Sequence, residues 1–164
     1  MRKLKLIIFD VDGVLTDNTV YIGPDGYELK RFSIADGLGM YLARKHGLQI
    51  AFVSGRPSLS TTERAKELQV ADVFQEPTEK LDFYNQLKAK YALSDEEIAF
   101  VGNDLVDLRA MRATGVAVAA PGSPEAVLKE ADYVTKTRGG FGAAREILDL
   151  ILKAKGIDEE KQLD

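Results

Sequence analysis

The sequence contains no cysteine, and His46 is its single histidine. Without cysteine the chain cannot form disulfides, thiolate zinc sites, iron–sulfur clusters or a cysteine nucleophile. One histidine also excludes metal sites built from several imidazoles, so any bound metal must be a hard ion held by oxygen. His46 itself is predicted at the end of a helix, where an imidazole can meet the last carbonyl groups, and it is interpreted as structural.

Long apolar runs and an excess of positive charge are also missing. No stretch approaches the roughly 18 apolar residues of a membrane span, and the apolar run near the N-terminus is too short for a signal peptide. This pattern predicts a cytoplasmic protein without a membrane partner. Lys and Arg number 22 against 26 Asp and Glu, so the net charge of -4 has the wrong sign for binding a nucleic-acid backbone.

The 164 residues, 45% of them hydrophobic, are predicted to fold as a single domain, 1–164. Short apolar runs without alternation are typical of parallel strands that are buried on both faces. Such runs occur at 6–9, 48–53, 98–101 and 116–119, with weaker ones at 72–74 and 132–134. Segments with helical spacing lie between them, at about 36–46, 58–68, 78–91, 104–113, 123–130 and 141–154. The alternation predicts a three-layer, Rossmann-like α/β fold, with a parallel sheet between two layers of helices.

One segment interrupts this alternation after the first strand. The stretches 19–22 and 28–32 are apolar-rich and flank Gly23-Pro24-Asp25-Gly26, which is a turn signal. The pattern predicts a small β-hairpin, here called the flap, at about residues 18–33.

Further local signals concern helix starts and the C-terminus. Ser94 and Glu97 have the spacing of a capping box, and Thr78 precedes another stretch with helical spacing. The short charged tail at about 156–164 is expected to be poorly ordered.

Polar residues follow three of the predicted strands at their carboxyl ends, where open parallel sheets bind ligands. They are Asp10, Asp12, Ser54, Gly55, Arg56, Asp104 and Asp107. Asp10 and Asp12 point to one side if the chain stays extended, and two unscreened carboxylates at that spacing repel each other. A site made of oxygen ligands with several carboxylates suits Mg²⁺, which also accepts substrate phosphate as a ligand.

Each of these residues has an ordinary structural explanation when it is taken alone. Asp12 could form a turn, Asp104 could cap a helix, and Ser54 could be a loop serine. Lys80 lies in the first turn of a predicted helix, where the helix dipole disfavours a cation by roughly 0.3 to 1 kcal/mol. It is therefore either a solvated lysine or a cation aimed at a phosphate. The glycine-rich segment 138–142 is either a flexible loop or a mobile lid.

Together the residues resemble a known superfamily. The segment DVDGVLTD, at 10–17, resembles motif I of the haloacid dehalogenase-like (HAD) phosphohydrolases. Ser54 matches motif II, Lys80 matches motif III, and Asp104 with Asp107 match motif IV. Within the superfamily, the flap and the late segment TRGGFGAAREI resemble the 3-deoxy-D-manno-octulosonate 8-phosphate (KDO-8-phosphate) phosphatases. Both places where HAD proteins insert a cap domain are short here, so the resemblance implies a HAD fold without a cap.

This resemblance implies a phosphoric monoester hydrolase that converts KDO-8-phosphate to KDO and inorganic phosphate, in lipopolysaccharide precursor biosynthesis. Asp10 would be the nucleophile that forms an aspartyl-phosphate, and Asp12 would be the acid/base. The side chain of Asp10, the backbone carbonyl of Asp12 and the side chain of Asp104 would hold Mg²⁺, with Asp107 as a nearby acid.

The resemblance also implies residues that bind phosphate and substrate. Those implied for the transferring phosphoryl group are Ser54, Gly55 and Lys80. Those implied for the rest of the substrate are Thr16, Arg56, Arg64 and Arg138. Arg56 is the first choice for the sugar's carboxylate, because a guanidinium can bind a carboxylate through two hydrogen bonds. For Arg64, a solvated helix face is the preferred explanation.

A site without a cap leaves its intermediate open to water, so a neighbouring subunit is expected to cover it. The resemblance implies a homotetramer built through the flap. One alternative function is the same chemistry on another sugar-acid phosphate, such as a nonulosonate 9-phosphate or phosphoglycolate. Two others are a receiver-type domain that accepts phosphate without turnover and an inactive scaffold. The region 72–75 lacks the Asp-centred site of a receiver, and the presence of every motif residue argues against a scaffold.

Overall fold

The structure is a computed structural model, and it describes residues 1–76, 79–158 and 161. The helix start predicted at Thr78 lies outside the described residues, as does part of the tail predicted at about 156–164. The described part of the chain forms eight strands and six α-helices.

A six-stranded parallel sheet forms the middle layer of the fold. The strands of the chain are β1 Leu6–Asp10, β2 Thr16–Ile22, β3 Glu28–Phe32, β4 Gln49–Ser54, β5 Asp72–Gln75, β6 Ile98–Gly102, β7 Val116–Ala119 and β8 Tyr133–Val134. The sheet has the order β5-β4-β1-β6-β7-β8, which makes β1 a central strand. Every residue of β1 and of β6 is buried, as expected for strands with helices on both faces.

Helices cover both faces of this sheet. They are α1 Ile34–Lys45, α2 Leu59–Glu67, α3 Lys80–Lys90, α4 Leu108–Ala113, α5 Glu125–Glu130 and α6 Ala143–Ala154. Ile7 and Phe9 of β1 belong to the core that contains α1, α2 and α6, whereas Leu6 and Ile8 belong to the core that contains α3, α4 and α5. This arrangement confirms the predicted three-layer α/β fold. No helix among the described residues is long and apolar enough to cross a membrane.

The flap is a separate two-stranded sheet in which β2 and β3 pair antiparallel. It follows β1 directly, after a tight turn at Val11–Leu15. The hairpin predicted from the turn signal is therefore present, although β2 begins earlier than the predicted strand because Thr16 already pairs with Phe32. Several of its large apolar side chains are exposed, namely Tyr21, Ile22, Tyr27 and Leu29.

Two predicted helix starts need correction. The Glu97 carboxylate accepts a hydrogen bond from the Ser94 backbone N–H at 3.0 Å, but this capping box starts only a short 3-10 turn, which leads into β6. The helix predicted from 104 begins at Leu108, after another 3-10 turn at Leu105–Asp107. In the first place only a few residues separate α3 from β6. In the second, the Asp107 carboxylate accepts hydrogen bonds from the backbone N–H groups of Asn103 and Asp104, which holds the chain in a tighter turn before α4.

Asp36 is a buried carboxylate that joins α1 to α6. Its side chain accepts a hydrogen bond of 2.7 Å from the backbone N–H of Arg145, in the first turn of α6, whose N-cap Gly142 has no side chain. Burial raises the pKa of Asp36 to about 6, although this hydrogen bond and the nearby Arg64 act to lower it. Because this pKa lies above the ordinary 3.8, ionised Asp36 destabilises the folded state.

We expect Asp36→Asn to change the pH dependence of stability. The cost of ionising Asp36 is absent below about pH 4 and fully present above about pH 6, where it amounts to about 2 to 3 kcal/mol. Asn keeps an oxygen for the Arg145 N–H and cannot ionise. Urea unfolding from pH 4 to pH 8 should therefore show the variant gaining stability relative to the wild type as the pH rises. A difference between the two proteins that stays constant over this range would contradict the assignment.

Candidate active site

The carboxyl ends of β1, β4 and β6 meet at one edge of the sheet. Asp10 ends β1 and lies level with Val53, so that Ser54 ends β4 one residue further on. Above this edge is a pocket of about 330 Å³. Its lining residues are Asp10, Asp12, Asn18, Val20, Ser54, Gly55, Arg56, Lys80, Asp104 and Val106. The pocket brings together the predicted nucleophile, the acid/base and the phosphate-binding residues.

A buried lysine between two carboxylates forms the floor of this pocket. Lys80 begins α3, and its Nζ lies 2.6 Å from Asp10 Oδ1 and 2.6 Å from Asp107 Oδ1. Burial, together with the charge of Asp107, raises the pKa of Asp10 even though Lys80 acts to lower it. Burial alone would lower the pKa of Lys80, but the two carboxylates outweigh it and raise that pKa. The lysine is therefore a fixed cation, directed at the sheet edge rather than at solvent.

Asp107 also organises the loop that follows β6. Its Oδ2 accepts hydrogen bonds from the backbone N–H groups of Asn103, at 2.8 Å, and Asp104, at 3.0 Å. Its side chain has no exposed surface. Asp107 thus holds Lys80 with one oxygen and the loop with the other.

The turn after β1 places Asp12 beside Asp10. Gly13 has a φ of +96°, a conformation that glycine adopts without strain, and a Cβ there would lie 2.1 Å from the Asn103 side-chain amide. Thr16 lies fully buried behind the turn, where its Oγ1 accepts hydrogen bonds from the backbone N–H groups of Gly13, at 3.2 Å, and Asn18, at 3.3 Å. Thr16 therefore contacts the loop and does not line the pocket.

Asn103 completes a cluster of oxygens that sequence reasoning missed. One end of its side-chain amide lies 2.8 Å from Asp10 Oδ2 and 2.9 Å from the backbone oxygen of Asp12. With nitrogen at that end, the amide donates to both oxygens. With oxygen at that end, the amide oxygen faces two other oxygens, which is favourable only around a cation.

Asp104, predicted as a metal ligand, has one side-chain oxygen in a capping hydrogen bond. It is exposed at the edge of the pocket, and its Oδ1 accepts a hydrogen bond of 2.7 Å from the Leu105 backbone N–H. In the described part of the chain, no three His, Cys, Asp or Glu residues group as a metal site. The predicted role of Asp104 stays a prediction.

Asp12 is held from the flap side of the pocket. Lys30, on β3, places its Nζ 2.8 Å from Asp12 Oδ1 and 3.0 Å from Asp12 Oδ2. The Ser54 hydroxyl lies 3.4 Å from Asp12 Oδ2 and also contacts the backbone of Arg56. No motif in the sequence points to Lys30, because only the folding of the flap against α2 brings it to the site.

The three predicted substrate arginines occupy different positions. Arg56 lines the pocket, and its guanidinium pairs with Glu28 of the flap. Arg64 lies outside the pocket lining, where it donates to the Ser33 carbonyl at 2.8 Å and pairs with Glu67 at 2.7 Å. Only Arg56 is brought to the pocket as predicted.

Arg138 belongs to the glycine-rich segment and to a neighbouring cavity. This second cavity, of about 370 Å³, shares Asn18 and Asp104 with the pocket. The Phe141 ring lies between two guanidinium groups, 3.7 Å from that of Arg31 and 3.9 Å from that of Arg138. Arg31 also donates to the Gly140 carbonyl at 2.6 Å, so the segment is tied to the flap.

Comparison with known proteins identifies the family of this chain. A family model for haloacid dehalogenase-like hydrolases matches residues 66–147. The KDO-8-phosphate phosphatase KdsC of Escherichia coli (strain K12) is 38% identical over 161 residues, which are 98% of this chain and 86% of the relative. The chain belongs to the haloacid dehalogenase-like hydrolases. The predicted superfamily and the predicted class, a phosphoric monoester hydrolase, are both confirmed.

Solved structures of similar proteins support the assignment of the chain to this family. A KDO-8-phosphate phosphatase from Moraxella catarrhalis, in complex with magnesium, phosphate and KDO, has a TM-score of 0.92 and 36% identity, covering 94% of this chain and 89% of its own. The cobalt-bound phosphatase from Haemophilus influenzae has a TM-score of 0.93 and 34% identity, covering 99% of this chain and 97% of its own. The hydrolase is thus similar to these phosphatases over nearly its whole length.

Proposed function

We propose that the chain hydrolyses KDO-8-phosphate to KDO and inorganic phosphate through an aspartyl-phosphate, as a step in making lipopolysaccharide precursors. One observation carries the proposal: a pocket in which the Asp10 carboxylate lies over a buried lysine and has a second carboxylate, Asp12, beside it. The similarity of the chain to KDO-8-phosphate phosphatases supports KDO-8-phosphate as the substrate.

The positions of Asp10 and Asp12 support the following chemistry. An Asp10 oxygen attacks phosphorus, the bond between phosphorus and the ester oxygen breaks, and Asp12 gives its proton to the departing alkoxide. A water molecule then attacks the aspartyl-phosphate, Asp12 takes up the water's proton, and phosphate leaves with Asp10 restored. Ser54, Gly55 and Lys80 hold the phosphoryl oxygens while charge spreads over them.

The residues at the sheet edge fit Mg²⁺. The Asp10 carboxylate and the Asp12 backbone oxygen both lie within 2.9 Å of the Asn103 amide, and Asp104 lies at the edge of the same pocket. When bound, Mg²⁺ would neutralise the charge of the phosphate and orient it for attack. Neutral amide and carbonyl oxygens beside one carboxylate match a hard ion that also keeps water and phosphate ligands.

Arg56 is the residue we assign to the sugar's carboxylate. It lines the pocket and presents a guanidinium that is already paired with a carboxylate, Glu28. A substrate carboxylate would take the same kind of contact. Arg138 remains a second choice through the neighbouring cavity, and Arg64 would need a change of partner to contact substrate.

The expectation of a cytoplasmic protein stays a prediction.

The test is release of inorganic phosphate with Mg²⁺ and with a chelator. KDO-8-phosphate should be hydrolysed over many turnovers only when Mg²⁺ is present, and faster than a nonulosonate 9-phosphate, phosphoglycolate or simple sugar phosphates. Faster release from another compound would keep the chemistry and change the substrate. Stable phosphorylation without turnover would favour a receiver-type domain instead.

We also infer that the chain assembles as a homotetramer through the flap. Large apolar side chains are exposed on the flap, which contributes to the pocket lining, and on α1, which follows the flap in the chain. They are Tyr21, Ile22, Tyr27, Leu29, Ile34, Leu38 and Tyr41. Burial of such a surface between subunits would also cover the pocket.

Charge placed on the flap should disrupt this assembly. We expect Leu29→Glu, at a side chain that is 50% exposed, to convert a tetramer into smaller species in light scattering. Val134→Glu is the matched control, since Val134 is also an exposed apolar residue but lies on the edge strand β8. A wild-type mass of one chain would contradict the inference.

A further inference from the structure

Lys30 is a lysine of the flap whose side chain has no exposed surface. Its Nζ contacts both carboxylate oxygens of Asp12, at 2.8 and 3.0 Å. Its other contacts are longer, 3.4 Å to Thr61 Oγ1 and 3.9 Å to Glu28 Oε1. Since a buried ammonium group is costly unless it is paired, Asp12 is the partner that makes its burial tolerable.

The contact also restricts Asp12. A carboxylate two residues after the strand end, with about a quarter of its side chain exposed, has room for several orientations. Because both oxygens of Asp12 contact one fixed cation, far fewer orientations of the carboxylate remain. Ser54, at the end of β4, adds a weaker contact to the same carboxylate, 3.4 Å from Asp12 Oδ2.

We propose that Lys30 is a positioning residue, which holds the Asp12 carboxyl group in the orientation needed for proton transfer to the leaving group. This inference rests on the proposed function, because it assumes that Asp12 is the acid/base. It makes the flap part of the catalytic site of its own chain, in addition to any role in assembly.

The pattern of β3 supports this role. Residues alternate along a strand, so Glu28 and Lys30 lie on one face of β3 and Leu29 and Arg31 on the other. Glu28 pairs with Arg56 and accepts a hydrogen bond of 2.7 Å from the Ser58 hydroxyl, while Lys30 contacts Asp12. One face of the flap therefore holds both a pocket arginine and the acid/base.

A leaving-group comparison tests the inference directly. A sugar alkoxide must receive a proton as it departs, whereas 4-nitrophenolate can depart as an anion. Lys30→Met keeps most of the buried aliphatic chain and removes the ammonium group. We expect kcat on KDO-8-phosphate to fall by about 10- to 50-fold, part of the 10²- to 10⁴-fold that acid–base catalysis typically contributes. The KM should change little, and first-turnover release of 4-nitrophenol from 4-nitrophenyl phosphate should fall by less than about threefold.

Two further variants separate positioning from flap structure. Arg31 is the neighbouring residue on the opposite face of β3, and Arg31→Met removes the flap's contacts with Gly140 and Phe141. This variant should change the rates on both substrates by the same factor. Lys30→Arg keeps a cation opposite Asp12 and should recover part of the rate on KDO-8-phosphate.

Equal losses on the two substrates in Lys30→Met would overturn the inference while leaving the proposed function intact. No recovery in Lys30→Arg, together with equal losses, would show that Lys30 only anchors the flap. A wild-type chain that releases phosphate from neither compound would overturn the proposed function and this inference with it. Circular dichroism of each variant should match the wild type, since Lys30 belongs to the flap and not to the sheet core.

Discussion

Asp10→Asn should abolish phosphate release, with kcat lower by at least about 10⁴-fold, as is typical when a catalytic nucleophile is removed. An amide has no carboxylate oxygen to attack phosphorus, so the covalent intermediate cannot form. The fold should survive, because Lys80 keeps its second partner, Asp107, at 2.6 Å. The measurement is steady-state phosphate release beside thermal unfolding of both proteins.

The matched control for this variant is Asp25→Asn. Asp25 is an exposed residue of the flap turn, outside the pocket, and its replacement makes the same chemical change. The control should retain the wild-type rate. Substantial hydrolysis by Asp10→Asn, in protein whose intact amide has been verified by mass spectrometry, would show that another group attacks phosphorus.

Removal of the Asn103 amide should weaken Mg²⁺ binding by about 100-fold, the upper end of the range for groups that support a metal site. In Asn103→Ala the Asp10 carboxylate and the Asp12 carbonyl lose the amide that lies against both of them. Asp104→Ala should weaken Mg²⁺ binding less, because one oxygen of the Asp104 side chain is already engaged by the Leu105 N–H. Calorimetric titration of Mg²⁺ into each protein measures both changes independently of activity.

A third variant makes this comparison more informative. Asn103→Asp places an additional negative charge beside Asp10 and Asp12, and a hard divalent ion binds more tightly as ligand charge increases. Its affinity for Mg²⁺ should therefore exceed that of the wild type. If instead Asp104→Ala caused the large loss and Asn103→Ala a small one, the ligand predicted from the sequence, Asp104, would be correct.

Local signals were sufficient to predict most of the fold and the centre of the site. The apolar run before Asp10 is buried along its whole length, because a parallel strand between two helical layers has no polar face. Asp10 and Ser54 could be assigned to one site because strand order determines which loops meet at the carboxyl edge, whereas the role of Lys80 came from its match to motif III. Helix ends were less certain, since the residues near 104 form a 3-10 turn before α4 begins.

The rest of the site depends on contacts that no local pattern encodes. Lys30 lies 18 positions after Asp12 and reaches it only because the flap folds back over the pocket. The choice between Asn103 and Asp104 depends on the backbone direction after β6, which Asp107 sets by accepting hydrogen bonds from both backbone N–H groups. A sequence read residue by residue contains both side chains, but not the direction in which each one points.

The contacts of α6 and its preceding loop affect when the site can fold during synthesis of the chain. Arg31 reaches Gly140, and Asp36 reaches Arg145, so each bond joins residues 109 positions apart. The flap and α1 therefore leave the ribosome long before the segments that secure them have been synthesised. Contacts of such sequence separation slow folding, because a long loop must close before they form. The acid/base side of the pocket should accordingly mature late, only after α6 has been released and has docked.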